Sequence, residues 1–171
     1  MNKLPKLILS DIDGVWTDGS MYYTDEGDKM KRFHTYDSAG VLFCKISGIP
    51  VGIISGENHP SIILRARKLG TDYVLTGIKN KTEAIGNILK ELGISWDDLA
   101  YIGDDINDLD VLKRAGLAAT VPNAPDYIKK YVHYITQKKG GEGAFRDFVE
   151  YILTENNLLE EVLDKITSRN R

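Results

Sequence analysis

Two carboxylates, one residue apart at the end of a short apolar run, are the first groups in this sequence that can do chemistry. Lys6-Leu7-Ile8-Leu9-Ser10 reads as a buried strand, and Asp11-Ile12-Asp13-Gly14 follows at once. Alternate side chains of an extended chain share a side, so Asp11 and Asp13 point the same way. Such a pair can divide a displacement at phosphorus. One acid attacks and becomes an aspartyl-phosphate, and the other gives a proton to the departing alkoxide. Taken alone, a strand-end turn explains Asp-x-Asp-Gly as well, because Asp and Gly favour turns.

A second acidic group, Gly103-Asp104-Asp105-Ile106-Asn107-Asp108, follows the apolar run Leu99-Ala100-Tyr101-Ile102. Oxygen ligands at a strand end suit a hard cation such as magnesium. A cation there offsets the repulsion between Asp11 and a phosphate dianion. Helix capping explains one or two of these acids, but not readily three within five residues. Ser55-Gly56 ends another apolar run, where a hydroxyl and a backbone N–H can hold a phosphoryl group. Lys81 stands at a helix start, where the helix dipole disfavours a cation, which hints at a role in binding phosphate and balancing the acids.

The elements that must position these groups alternate along the chain. Strands are expected near residues 6–10, 51–55, 73–75, 99–102, 117–121 and 132–135. Helices are expected over 37–47, 60–69 and from Asn80-Lys81-Thr82-Glu83 to Gly93, with another of about ten residues after Asp105. Met21-Tyr22-Tyr23, a turn at Asp25 to Asp28, and Met30 to Phe33 read as a hairpin. The pattern predicts an α/β fold, a Rossmann-like doubly wound parallel sheet with helices on both faces. Ligands then bind beyond the C-terminal strand ends, where all the candidate groups fall. Residues 1–153 are read as one domain with a hairpin insertion at 17–36, and 154–171 as a C-terminal helical extension.

Composition narrows the choices. The chain has 171 residues, 42% hydrophobic and 27% charged, with a formal net charge of −3. That charge gives no general attraction to nucleic acid or to an anionic membrane. No run approaches the roughly 20 apolar residues of a membrane helix. A single cysteine, Cys44, excludes an internal disulfide and is expected in the core. The N-terminal residues lack the apolar stretch of a signal peptide, which fits a cytoplasmic location.

Asp-x-Asp, then Ser, then Lys, then Gly-Asp-Asp-x-x-Asp, in that order and each at a predicted strand end or helix start, resembles the haloacid dehalogenase-like phosphatases over nearly the whole chain. The resemblance implies Asp11 as nucleophile, Asp13 as general acid and base, and Ser55 and Lys81 as phosphoryl contacts, beside the Gly56 N–H already read from the strand end. It implies magnesium held by Asp11, the Asp13 carbonyl and Asp104, with Asp105 and Asp108 in support. Only a hairpin separates Asp13 from Asp37 and one helix separates Lys81 from Gly103, so neither place holds a large cap domain.

Asp11 to Gly19, the hairpin and Gly140-Gly-Glu-Gly-Ala-Phe-Arg146 are similar to the capless phosphatases of 3-deoxy-2-ulosonate phosphates. That family implies a sugar-acid phosphate substrate and a homotetramer in which the hairpin and the Gly-rich segment help close a neighbour's site. Two departures from the eight-carbon octulosonate pattern are Ser38 in Asp37-Ser38-Ala39-Gly40 and Glu57 after Gly56. Both look more like the branch acting on 9-phosphates of 2-keto-3-deoxynononate or N-acetylneuraminate, which is the expected preference; an octulosonate 8-phosphate phosphatase is the alternative. Thr35, Asp37, Ser38 and Glu57 are candidate substrate contacts, and Arg65 and Lys68 are candidate sources of positive charge. A receiver domain is set aside because its acidic pair precedes the phosphorylated Asp. A non-catalytic scaffold is set aside because no catalytic group is missing.

Overall fold

The computed structural model describes residues 3–169. Six strands, β1 (Leu7–Ser10), β4 (Val51–Ile54), β5 (Tyr73–Leu75), β6 (Leu99–Ile102), β7 (Leu117–Thr120) and β8 (Tyr134–Ile135), form one sheet in the order β5-β4-β1-β6-β7-β8. Every pairing in it is parallel. β2 (Tyr22–Thr24) and β3 (Gly27–Met30) pair separately as an antiparallel hairpin. The chain first winds from β1 towards β5, then returns to lay β6 against the other side of β1. The crevice between β1 and β6 is therefore the point where the winding reverses, the usual place for a ligand in such a sheet.

Period-two alternation sends side chains to both faces. Ile8 packs on one face with α1 (Asp37–Ser47), α2 (Pro60–Leu69), α6 (Ala144–Glu155) and α7 (Leu159–Arg169). Leu7 and Leu9 pack on the other with α3 (Lys81–Leu92), the four-residue α4 (Leu109–Leu112) and α5 (Asp126–Lys129). The expected α/β architecture is present, without a large cap. Val162 of α7 is buried in the same core as α1 and α6, so the last helix packs onto the body of the fold. Cys44 is buried and free, and burial pushes its thiol well above the ordinary range.

Sequence and structure part at three elements. The second strand of the hairpin, expected at Met30 to Phe33, is Gly27–Met30, because the turn is tighter than expected and Thr24 already pairs with Gly27. The expected helix after Asp105 is a 3-10 turn over Ile106–Asp108 followed by only four α-helical residues. The cause is Asp108, which turns inward to the site. The last strand is confined to Tyr134–Ile135 and starts two residues later than expected, although His133 N–H still donates to the Ala118 carbonyl at 2.8 Å. No helix among the described residues is long and apolar enough to cross a membrane.

Candidate active site

The C-terminal end of β1 fixes the first acid. Asp11 N–H donates to the Ile102 carbonyl at 2.9 Å, which ties it to β6. The chain then coils tightly, with the N–H groups of Val15, Trp16 and Thr17 all donating to the Ile12 carbonyl. Trp16 is buried against Phe145, and its indole N–H donates to Ser10 Oγ at 2.9 Å. Gly14 sits at φ +87°, and a Cβ there would lie 1.9 Å from Asp104 Oδ2. Only glycine lets the nucleophile loop approach the β6 acids so closely.

The α3 helix starts where its first residue can reach the sheet. Asn80 Oδ1 caps it by accepting from Glu83 N–H. Lys81 then enters the core with only 3% of its surface exposed, and Nζ donates to Asp11 Oδ1 and Asp108 Oδ1, both at 2.7 Å. Burial alone opposes the ammonium charge. The two carboxylates outweigh it, and the Lys81 pKa is raised.

Asp108 is fully buried and saturated with donors. Lys81 and the Tyr101 hydroxyl donate to Oδ1, and the N–H groups of Asp104 and Asp105 donate to Oδ2 at 3.1 and 3.3 Å. It organises the loop rather than offering free oxygens. Gly103 permits the wrap, because a Cβ there would lie 2.4 Å from the Asp108 carboxyl carbon. Asp105 is exposed and caps the 3-10 turn through the Ile106 N–H.

Asp11, Asp104 and Asp108 each bring a carboxylate oxygen within 4.8 Å of the others. Asp104 Oδ1 is buried with no hydrogen-bond partner, an arrangement that costs free energy unless a cation completes it. Burial and the neighbouring acids push the Asp104 carboxyl up to about 7. Burial, then Asp108, raises Asp11 well above the usual carboxylate range despite Lys81. Three crowded acids with one lysine between them and an orphaned oxygen fit a hard divalent cation.

Above this floor lies a cleft of about 330 Å³, lined by Asp11, Asp13, Ser55, Gly56, Glu57, Asp104 and Asp105, among others. Asp13 Oδ2 is 3.5 Å from Ser55 Oγ, and its Oδ1 accepts from Lys31 Nζ at 2.8 Å. Lys31 and Tyr101 were not foreseen from the sequence, and neither carries a motif that singles it out. Met21, Gly19 and Asn107 also reach the cleft.

Six expected contacts do not line this cleft. Lys81, expected on the phosphoryl group, lies beneath the cleft on Asp11 and Asp108. Asp37 is fully buried, and its Oδ1 accepts from Arg146 N–H at 3.2 Å, which ties α1 to the start of α6. Its second oxygen has no partner, and burial pushes the carboxyl up to about 7. The expectation of Asp37 as a substrate contact is corrected: the α1–α6 contact encloses it. Arg65 spends its guanidinium inside the subunit, on Ser38 Oγ at 2.9 Å and the His34 carbonyl at 3.1 Å. Thr35 and Lys68 are exposed away from the cleft. The Gly-rich segment, expected near a neighbour's site, packs on its own nucleophile loop, where a Cβ on Gly140 would strike the Gly14 carbonyl at 1.8 Å.

Residues 70–146 match the haloacid dehalogenase-like hydrolase family. The 3-deoxy-D-manno-octulosonate 8-phosphate phosphatase of Haemophilus influenzae is 34% identical over 148 residues, covering 86% of this chain and 82% of that protein. The chain belongs to the haloacid dehalogenase-like phosphatases. Its structure is similar to that of the 3-deoxy-D-manno-octulosonate 8-phosphate phosphatase from Moraxella catarrhalis, solved with magnesium, phosphate and the KDO molecule. The TM-score is 0.91 at 36% identity, covering 96% of this chain and 95% of that one. The corresponding enzyme from Yersinia pestis matches at TM-score 0.87 and 34% identity, over 91% and 84%. As a member of this family the chain is a phosphatase, and its acids and lysine occupy one strand-end site.

Proposed function

We propose that this phosphatase hydrolyses a 3-deoxy-2-ulosonate phosphate, with 3-deoxy-D-manno-octulosonate 8-phosphate as its first substrate. The observation that carries the chemistry is the placement of Asp11: clamped by Lys81, beside the unpartnered Asp104 oxygen, with Asp13 and Ser55 on the cleft wall. The similarity to 8-phosphate phosphatases, over more than four-fifths of each chain, supports the substrate. It moves the choice away from the nine-carbon preference suggested by Ser38 and Glu57. Ser38 is engaged by Arg65 and does not line the cleft.

In this reading Lys81 holds Asp11 Oδ1, and Asp11 Oδ2 attacks phosphorus. The Oδ2–P bond forms as the bond to the sugar oxygen breaks, and Asp13 gives that oxygen a proton. A water then attacks the phosphoryl group, Asp13 takes its proton, and Asp11 leaves as carboxylate. Ser55 Oγ and the Gly56 N–H hold the phosphoryl oxygens. Asp11, the Asp13 carbonyl and Asp104 would hold magnesium, with Asp105 and Asp108 shaping the loop. Magnesium, when bound, supplies the charge that lets a carboxylate approach a phosphate dianion.

The open cleft calls for cover, and the hairpin offers a surface for assembly. Met21, Tyr22, Tyr23 and Met30 are between 42% and 67% exposed, more apolar side chain than a free hairpin keeps in water. A homotetramer would place a neighbour over each cleft, bringing the exposed Thr35 or Lys68 to a substrate carboxylate.

The test is phosphate release with magnesium and with EDTA from octulosonate 8-phosphate, ketodeoxynononate 9-phosphate, N-acetylneuraminate 9-phosphate and common sugar phosphates. Magnesium-dependent turnover favouring the 8-phosphate is expected. A 9-phosphate preference keeps the chemistry and returns weight to Glu57, which does line the cleft. Full activity of Asp11→Asn would refute the mechanism, and a monomer by light scattering would refute the assembly.

A further inference from the structure

Lys31 has no place in the mechanism above, yet its position is unusual. It follows directly on β3, at the hairpin's return, and its side chain is 1% exposed. Nζ crosses 18 residues of sequence to reach Asp13 Oδ1 at 2.8 Å. A buried ammonium persists only where its partner is fixed, because an unpaired charge costs several kcal/mol. The Asp13 side chain is otherwise only loosely held. Asp13 stands on a loop, its side chain is 32% exposed, and its other oxygen is 3.5 Å from Ser55 Oγ, at the limit of a hydrogen bond. Lys31 is thus the strong constraint on where that carboxyl points.

We infer that Lys31 is a positioning residue for the proton-transfer step: it pins Asp13 Oδ1 so that Oδ2 faces the phosphoryl site, and it links the seating of the hairpin to that step. The inference rests on the role proposed for Asp13. Lys31 touches neither phosphorus nor the leaving group and acts only through the carboxyl it holds. A hairpin lifted from the body withdraws the ammonium and frees Asp13 to rotate, so a partner subunit on the exposed hairpin face also steadies the acid. Misplacing a catalytic group by about 1 Å costs on the order of 100-fold in rate.

The test compares Lys31→Met, Lys31→Arg, Asp13→Asn and the double variant Lys31→Met/Asp13→Asn, with magnesium, on a sugar phosphate and on p-nitrophenyl phosphate. The sugar alkoxide needs a proton on departure and p-nitrophenolate does not. For Lys31→Met, kcat on the sugar phosphate should fall about 10- to 100-fold with KM changed little. The pre-steady-state burst of p-nitrophenolate should keep its rate, Lys31→Arg should recover part of the loss, and the double variant should be no slower than Asp13→Asn. Equal losses of burst and sugar turnover, or additive losses in the double variant, would overturn the inference. If Lys31→Met does not fold, Lys31→Gln takes its place. If neither folds while Lys31→Arg does, Lys31 is an anchor of stability and the inference fails. Wild-type activity of Asp13→Asn would instead overturn the role of Asp13.

Discussion

The charge on the site's floor makes magnesium a folding ligand as well as a catalytic one, and the size of that effect follows from the geometry. Asp11, Asp104 and Asp108 bring carboxylate oxygens within 4.8 Å of one another, with Lys81 as the cation placed between Asp11 and Asp108. At that separation each like-charged pair costs about 3 kcal/mol at an effective dielectric of about 20. Lys81 offsets part of this, and the orphaned Asp104 Oδ1 marks what is left over. A ligand that binds only the folded state at about 100 times its Kd adds about 2.7 kcal/mol. For a chain of this length, 1 kcal/mol moves Tm by about 2–4 °C, so a rise of about 5–11 °C is expected. The assay is thermal unfolding in EDTA and in saturating magnesium at matched ionic strength, for the wild type and Asp104→Asn. The wild type should shift and the variant should not. A shift below about 1 °C, or one that sodium chloride reproduces, would refute the assignment, because screening of surface charge needs no built site.

Three further outcomes are expected. Lys81→Met leaves Asp11 and Asp108 facing each other without their cation, so urea unfolding should report a loss of about 3–5 kcal/mol and phosphate release should be abolished. Gly14→Ala drives a methyl group to 1.9 Å from Asp104 Oδ2 and must displace that carboxylate, so the magnesium concentration for half-maximal rate should rise about 10-fold or more, read from a metal titration of activity. Asp37 titrates at about 7 in the fold, above its unfolded value near 3.8, so it binds its proton more tightly when folded; its contribution to stability is full below pH 4 and is lost as pH rises to 7, by up to about 4 kcal/mol. Asp37→Asn should flatten that part of a pH series of urea midpoints taken in EDTA, whereas parallel profiles would mean that Arg65, Arg146 and the start of α1 keep the carboxylate charged.

Much of the site was legible because it is written in local terms. Asp11 and Asp13 follow a strand, Asp104, Asp105 and Asp108 follow another, and Ser55 ends a third; strand ends in a parallel sheet converge by topology. Lys81 was legible through a misfit, a cation at a helix start. The family resemblance set Asp104 apart as a metal ligand and Asp108 as its support; what spacing alone left open is the physical basis of that division. Asp104 and Asp108 look alike in the string, yet one has a bare buried oxygen and the other has all its acceptor positions engaged. The difference arises from the inward turn of Asp108, which also shortens the expected helix.

The contacts that escaped notice share a physical reason. Lys31 meets Asp13 across 18 residues, Arg65 meets Ser38 across 27, and Arg146 N–H meets Asp37 across 109. Such contacts are set by the packing of the hairpin, α2 and α6 against α1 and the nucleophile loop, which no local pattern encodes. Asp37 shows the consequence most sharply. An acid following a hairpin and opening a helix reads as a surface contact when only its neighbours are considered, and α6 alone turns it into a buried anchor. The same packing turns Lys31, one lysine in a charged stretch, into the group that fixes Asp13. Local spacing therefore finds the atoms that react, and the long-range contacts decide which way those atoms face.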